Sequence, residues 1–200
     1  MVLRVTASCV GSDIQNVNGR VIYPLEAIAL KLEGTSELRV TIDAHGFIED
    51  VQVENSSGHQ ILDDAAMGSI YQWVFKKPAG NKEMKFIVPV QFKLTKDSFR
   101  ELPEISPTTR RDAAQPKLLR QPKPYYPYQA YVTHITGTAH VRMVVSERGF
   151  VSKAWIAESS GHKILDYSAL ITTYRFVWDP KIVDGKPVSF DVMQPVIFER

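Results

Sequence analysis

Three residue types that together perform nucleophilic catalysis stand close in sequence, and they do so twice: Ser57, His59 and Asp63, then Ser160, His162 and Asp166. A serine hydroxyl activated by an imidazole that a carboxylate orients is an acyl-transfer nucleophile. The spacing argues against that use. Each set lies at the start of one helix, whereas the members of a triad converge from separate elements. A serine capping the helix and an acidic residue in its first turn account for the pattern without chemistry. The histidines, at positions 45, 59, 134, 140 and 162, keep no metal-ligand spacing and read as surface side chains. Gly46, Gly58, Gly149 and Gly161 are isolated turn residues and build no phosphate loop. No catalytic residue, no metal site and no cofactor are expected.

Cys9 is the single cysteine, which excludes an internal disulfide and any multi-cysteine zinc or iron-sulfur site. Two readings of it stand. One is a free cysteine in a frayed terminus. The other is a lipidated cysteine, because Thr6-Ala7-Ser8-Cys9 followed by Val10-Gly11-Ser12 looks like the small-residue stretch around a bacterial lipoprotein cysteine. Residues 1–8 are too short for a signal peptide, and no stretch reaches the roughly 18 apolar residues of a spanning helix.

The elements that carry the serines, histidines and aspartates are themselves repeated. At an offset of 103 residues, Tyr23-Pro24 meets Tyr126-Pro127, Gly34 meets Gly137, Ser56-Ser57-Gly58-His59 meets Ser159-Ser160-Gly161-His162, and Ile61-Leu62-Asp63 meets Ile164-Leu165-Asp166. The offset grows to 106 at Pro89/Pro195 and Phe92/Phe198, so copy two holds three extra residues before its last strand. This repeat divides the 200 residues into a tail (1–19), a first domain (20–95), a connection (96–122) and a second domain (123–200). Residues 96–124 hold five of the twelve prolines and no glycine, which predicts a semi-rigid spacer. The alternative is a loop folded back over a domain, anchored by Phe99, Leu102, Ile105, Leu118 and Leu119.

Each copy reads as a short helix opened by Pro24 and capped by a left-handed Gly34, a hairpin turning at Ala44-His45-Gly46, a helix over Ile61 to Val74, and a third strand. In that strand Met84, Phe86, Val88, Val90, Phe92 and Leu94 alternate without a break. The fold class is α+β: two copies of a two-helix, three-stranded antiparallel domain joined by a Pro-rich linker. A strand, helix, strand path puts the third strand beside the first, as an edge, with the order second, first, third. Pro89 and Pro195 agree, since proline lacks the N–H that a central strand must donate.

These residues carry a resemblance. Tyr-Pro-x-x-Ala leading to Gly34 or Gly137, Ser-Ser-Gly-His-x-Ile-Leu-Asp before the long helix, and Val-Pro-Val-Gln-Phe in the last strand resemble the TonB C-terminal domain. Phe176-Val177-Trp178-Asp179-Pro180 and Asp184-Gly185-Lys186-Pro187-Val188 of copy two are similar to that family's helix exit and final loop. The resemblance implies a periplasmic domain that grips outer-membrane transporters, whose short segment joins the sheet beside the last strand. It points to Tyr23, Pro24, Tyr126 and Pro127, and to the edges Met84–Leu94 and Val188–Phe198, represented by Lys85, Ile87, Gln91, Ser189 and Asp191. Copy two adds Tyr125, Tyr128 and Tyr131, a residue type favoured at interfaces, with Trp155. The sequence departs from energy transducers in showing two domains and no membrane helix, so binding is the expected role. The prolines of the third strands interrupt an added strand, leaving its pairing partial or blocked.

The expected function is therefore a non-enzymatic, periplasmic protein that holds a protein partner, an outer-membrane transporter, through tandem domains. Alternatives are an inhibitor or immunity protein that occludes a toxin or effector enzyme, and an envelope scaffold. A homodimer by strand exchange is a further option, and membrane attachment would run only through a lipidated Cys9. The net charge of +2 gives no basic face for nucleic acid. Residues 96–124 hold seven basic and four acidic side chains, so the basic excess sits in the connection.

Overall fold

Alternating apolar positions form strands, and the apolar stripe between them forms a helix, in both copies. The computed structural model describes residues 21–78, 80, 82–105 and 116–199. Cys9, the rest of the N-terminal tail and residues 106–115 of the connection lie outside the described residues. Copy one runs α1 (Leu25–Ala29), β1 (Gly34–Ile42), β2 (Ile48–Asn55), α2 (Gln60–Ile70) and β3 (Met84–Phe92). The connection adds a 3-10 turn (Ser98–Glu101) and β4 (Leu118–Arg120). Copy two runs α3 (Tyr128–Val132), β5 (Gly137–Val145), β6 (Val151–Glu158), α4 (Lys163–Thr173), the short strands β7 (Val177–Trp178), β8 (Lys181–Val183) and β9 (Lys186–Val188), and β10 (Phe190–Phe198).

Both sheets are antiparallel and follow the expected order, β2-β1-β3 in copy one and β10-β5-β6 in copy two. Leu38, Val40 and Ile42 of β1 and Val88, Val90 and Phe92 of β3 are buried on one face, over which α2 lays Leu62, Ala65, Ala66 and Ile70. The α2 helix stops at Ile70, short of Val74, because the chain turns at Tyr71 and Gln72 and extends to sink Trp73 and Phe75 into the core. The left-handed residue after α1 is Lys31, with φ 57°, and not Gly34, which opens β1. Gly34 is needed for a different reason. A Cβ there would lie 2.7 Å from the Ser57 carbonyl oxygen, and at Gly137 2.9 Å from that of Ser160. The loop before each long helix thus crosses against a strand that has no side chain at that point.

The connection is folded back. Leu102 and Ile105 pack with Leu25 of copy one and with Phe150 and Val177 of copy two, and Leu118 packs on the main core. Strand β4 pairs antiparallel with β7. Phe99 and Leu119 remain exposed, so three of the five expected anchors are used. Apolar side chains outweighed proline stiffness: Leu102, Ile105 and Leu118 are each partly buried, and each contributes a fraction of the roughly 1.5–3 kcal/mol that complete burial would give.

One core runs through both copies. Their contact obeys a pseudo-two-fold relation, in which a pair made in one direction recurs with its counterparts exchanged. Tyr71 stacks on Tyr167, with centroids 4.6 Å apart, and Tyr174 donates to Asp64 at 2.8 Å; these are the same two repeat positions taken in opposite senses. Glu26 of α1 accepts from Ser146 at 3.0 Å and Arg148 at 3.2 Å in the hairpin of copy two. Its counterpart Gln129 in α3 accepts from the Ile48 N–H at 3.1 Å in the hairpin of copy one. At the centre α2 and α4 cross where Gly68 meets its own counterpart, Ile171; a Cβ at Gly68 would stand 2.9 Å from the Ile171 Cβ. Each short helix therefore docks on the other copy's hairpin, in addition to contributing Ala27 and Ile28, or Ala130, to the core.

Candidate functional site

The outer strands β3 and β10 each pair with one neighbour among the described residues, β1 and β5 respectively. Their prolines set which backbone groups face outward. Pro89 stands opposite Glu37 and Pro195 opposite His140. A proline without an N–H fits a ladder only where that residue's polar groups point away from the partner strand. Residues of the same parity then direct their N–H and C=O to the open edge: Lys85, Ile87 and Gln91 in β3, and Asp191, Met193 and Ile197 in β10.

The side chains of these residues are exposed, Ile87 at 38%, Met193 at 52% and Ile197 at 50%. Met193 and Ile197 were not singled out from the sequence, although carrying the alternation of copy one across the 106-residue offset reaches both. Ser189 is exposed but lies in the step between β9 and β10, outside the strand, because the ladder begins at Phe190. Lys85 pairs with Glu83 at 3.0 Å and Asp191 with Arg142 at 3.5 Å, both in solvent. Each edge thus offers three outward N–H groups broken once by proline, with apolar and charged side chains alongside.

The Tyr-Pro residues occupy a different place. Tyr23 is buried at 3% exposure, its hydroxyl donating to the Leu32 carbonyl and its ring set edge-on to Phe92 at 5.2 Å. Tyr126 repeats this with the Ile135 carbonyl and Phe198 at 5.8 Å. Burial holds the Tyr23 hydroxyl well above the ordinary tyrosine range, with the Glu33 charge adding to it. Pro24 and Pro127 are buried at the N-caps of α1 and α3. These four residues brace the first helix against the last residue of the edge strand, so they bear on the edge through its position. Tyr125, Tyr128 and Tyr131 are exposed at 50%, 51% and 56%, and Trp155 at 37% lies under Arg142 and Lys153.

The Ser, His and Asp groups form a clamp at the start of the long helix. Asp63 accepts from Ser36 Oγ at 2.6 Å, Ser56 Oγ at 2.5 Å and the Ser57 N–H at 2.8 Å. Burial alone would raise its pKa; the bonds from Ser36, Ser56 and Ser57 outweigh that and hold the carboxyl below its ordinary value. In copy two Ala139 replaces Ser36, and Asp166 accepts from Ser159 Oγ at 2.5 Å, the Ser160 N–H at 2.8 Å and Ser160 Oγ at 2.7 Å. His59 and His162 are the N-cap residues and no serine caps the helix: the serine hydroxyls are taken by the aspartate and by the histidine backbone. Among the described residues no group of three or more His, Cys, Asp or Glu side chains could hold a metal ion, and no helix is long and apolar enough to cross a membrane.

Residues 20–94 and 122–199 match the family described as Gram-negative bacterial TonB protein C-terminal. The chain is similar to Protein tonB2 of Pseudomonas aeruginosa, at 39% identity over 75 residues, which is 36% of this chain and 28% of that protein. It thus spans under a third of that relative. It also matches the solution NMR structure of the Pseudomonas aeruginosa TonB CTD, at 22% identity and a TM-score of 0.38, covering 42% of this chain and 86% of that one.

Proposed function

The chain belongs to the family of Gram-negative bacterial TonB C-terminal domains, which it carries twice, and on that premise we propose that it is a periplasmic binding protein whose edge strands β3 and β10 receive an extended segment of an outer-membrane transporter. Members of this family are non-enzymatic envelope proteins. The observation that carries the proposal is the pair of open edges, each with outward N–H groups at alternate residues. Backbone pairing to such an edge supplies affinity, and side chains at alternate positions supply specificity. Pro89 and Pro195 divide each edge into two short pairing stretches, so an added strand pairs on either side of the proline.

The pseudo-two-fold packing holds both edges on one body, so the two copies act together. Lys85, Ile87 and Gln91 serve the first edge, and Asp191, Met193 and Ile197 the second. A photo-crosslinking side chain at Gln91 or Asp191, introduced in cells, tests this. Crosslinks to one short extended segment of a transporter are expected. Crosslinks spread over the partner, or arising equally from the buried-face position Val90, would refute strand pairing.

A further inference from the structure

The contact between the copies leaves a cavity of about 450 Å³, and we propose that it binds a small organic carboxylate with an apolar body. Repeat counterparts line it together: Tyr23 with Tyr126, Ile22 with Tyr125, and Gln72 with Arg175. It therefore sits astride the pseudo-two-fold, closed on one side by Arg120 to Pro124 of the returning connection. Its volume falls in the range of about 300–1,000 Å³ usual for ligand sites.

The walls indicate the ligand's body. Val21, Ile22, Pro122 and Pro124 are apolar, and the half-exposed Tyr125 ring stands at the rim. A planar or aromatic group packs on such surfaces, which give a bare inorganic ion nothing. The polar groups indicate its charge. Arg175 is matched by Glu101 at 2.6 Å and also donates to the Tyr23 carbonyl at 3.2 Å. Arg120 and Lys123 have no carboxylate partner among the described residues, so the lining carries an excess of positive charge. A guanidinium presents a planar fork that fits a carboxylate.

Gln72 adds a neutral donor. Only 5% exposed, it keeps a side-chain Nε2 with no acceptor in the protein. A buried donor left unpaired costs about 1–3 kcal/mol, which a ligand oxygen would restore. The divergence between copies reinforces this reading. Where copy one has Val21, Ile22 and Gln72, copy two has Pro124, Tyr125 and Arg175, so the two sides of the cavity differ in chemistry while the frame around them repeats. A ligand here touches copy one, copy two and the connection at once, and its binding raises the stability of the pair by mass action.

The test uses the isotopically labelled full chain, NMR shift mapping and probes of matched shape: phenylacetate, phenylacetamide and phenethylamine. Phenylacetate is expected to move the Ile22, Gln72, Lys123, Tyr125 and Thr172 amides and to bind about tenfold more tightly than the amide, the effect of one charge-assisted hydrogen bond. The double substitution Arg120→Glu with Lys123→Glu should abolish that preference while leaving the unfolding midpoint within error. N-acetyl-phenylalanine and its C-terminal amide form the second arm. Binding of the dipeptide-like acid without binding of phenylacetate would assign the site to a chain terminus and overturn the small-ligand proposal. Shifts absent from the cavity, or equal affinity for acid and amide, would overturn it as well.

Discussion

The Tyr174 hydroxyl donates a 2.8 Å hydrogen bond to Asp64 Oδ2 across the contact between the copies. At the same two repeat positions taken in the opposite sense, Tyr71 stacks on Tyr167. The pseudo-two-fold thus keeps a pair of contacts while exchanging their chemistry. Burial pushes the Asp64 carboxyl above its ordinary range, and the bonds from Gln60 and Tyr174 counter that. Tyr174→Phe leaves the half-buried Asp64 carboxylate short of a donor, removes the hydroxyl's bond with the Ala154 backbone as well, and is expected to cost about 1.5–3 kcal/mol, the range for a hydrogen bond to a charged group. Tyr71→Phe removes a hydroxyl whose hydrogen bond is with the neutral Val51 backbone and should cost about 1 kcal/mol or less. Urea unfolding ranks the two; equal losses would contradict the assignment.

Asp63 ties β1, the loop before α2 and the first turn of α2 together through three bonds. Asp63→Ala strands the fully buried Ser36 hydroxyl and is expected to cost about 2–4 kcal/mol. The sign of the pH effect follows from the lowered carboxyl. Its contribution is complete above the ordinary carboxylate range and is lost as the pH falls through the folded-state value. Wild type should therefore lose stability in acid faster than Asp63→Asn, measured by thermal unfolding across the acid range.

The repeat, both strand orders and the edge position of the third strands were legible because each rests on a local signal: matching motifs at one offset, period-two alternation, and a proline where no ladder N–H is made. What the sequence left open involves contacts between distant segments. Ser57 reads as a helix cap by proximity, yet its N–H is held by Asp63, and that carboxylate also collects Ser36 from 27 positions away. Gly34 reads as a left-handed cap, yet it is needed for the approach of Ser57. The connection reads as a spacer by composition and folds back because Leu102 and Ile105 find Leu25, Phe150 and Val177. The resemblance points to Tyr23 and Tyr126 as contact residues, and nothing local shows the bracing role their hydroxyls take by reaching the Leu32 and Ile135 carbonyls.

Glu26 joins the copies through Ser146 and Arg148, and burial nevertheless raises its carboxyl above the ordinary value. A raised carboxyl means that the folded protein binds a proton more readily than the unfolded chain, so this group's contribution falls as the pH rises through its folded value. Glu26→Gln places there the residue type of its counterpart Gln129, and Arg148 is exposed enough to be hydrated. The variant is expected to match or exceed wild type near about pH 7 and to lose that standing toward about pH 4. Paired unfolding curves at the two pH values check the crossover.

Gly68 lets α2 and α4 touch. Alanine there gains about 1 kcal/mol of helix propensity, yet its Cβ would lie 2.9 Å from the Ile171 Cβ and 3.1 Å from the Tyr167 carbonyl oxygen. Neither atom is the free end of a flexible side chain, so the helices must separate. Overpacking of this kind costs about 1–3 kcal/mol, and the net change should be destabilising. Gly68→Leu is expected to part the copies outright, read as a larger radius of gyration in small-angle scattering and faster proteolysis of the connection. A stabilised Gly68→Ala protein would mean that the copies do not pack through this crossing.

Proline substitution separates pairing at the edge from folding. Lys85, Gln91 and Asp191 direct their N–H groups outward, so proline there removes no bond to β1 or β5 and should shift stability by about 1 kcal/mol or less. Added to Pro89, Lys85→Pro leaves Ile87 and Gln91 as single donors on either side of it, Gln91→Pro confines the first edge to Lys85 and Ile87, and Asp191→Pro shortens the run beside Pro195. If strand addition holds the partner, affinity should drop at least about tenfold for whichever edge is used. The double variant, with both edges altered, should lose binding altogether. The edges also differ in charge: Lys82, Lys85 and Lys93 outnumber Glu83 along the first, while Asp191, paired with Arg142, and Glu199 accompany the second. Binding to the first edge should therefore weaken with salt when the partner segment is acidic, and binding to the second when it is basic. Affinities that ignore all of these prolines would place the partner elsewhere on the surface, with the exposed Tyr125, Tyr128 and Tyr131 as the next positions to substitute.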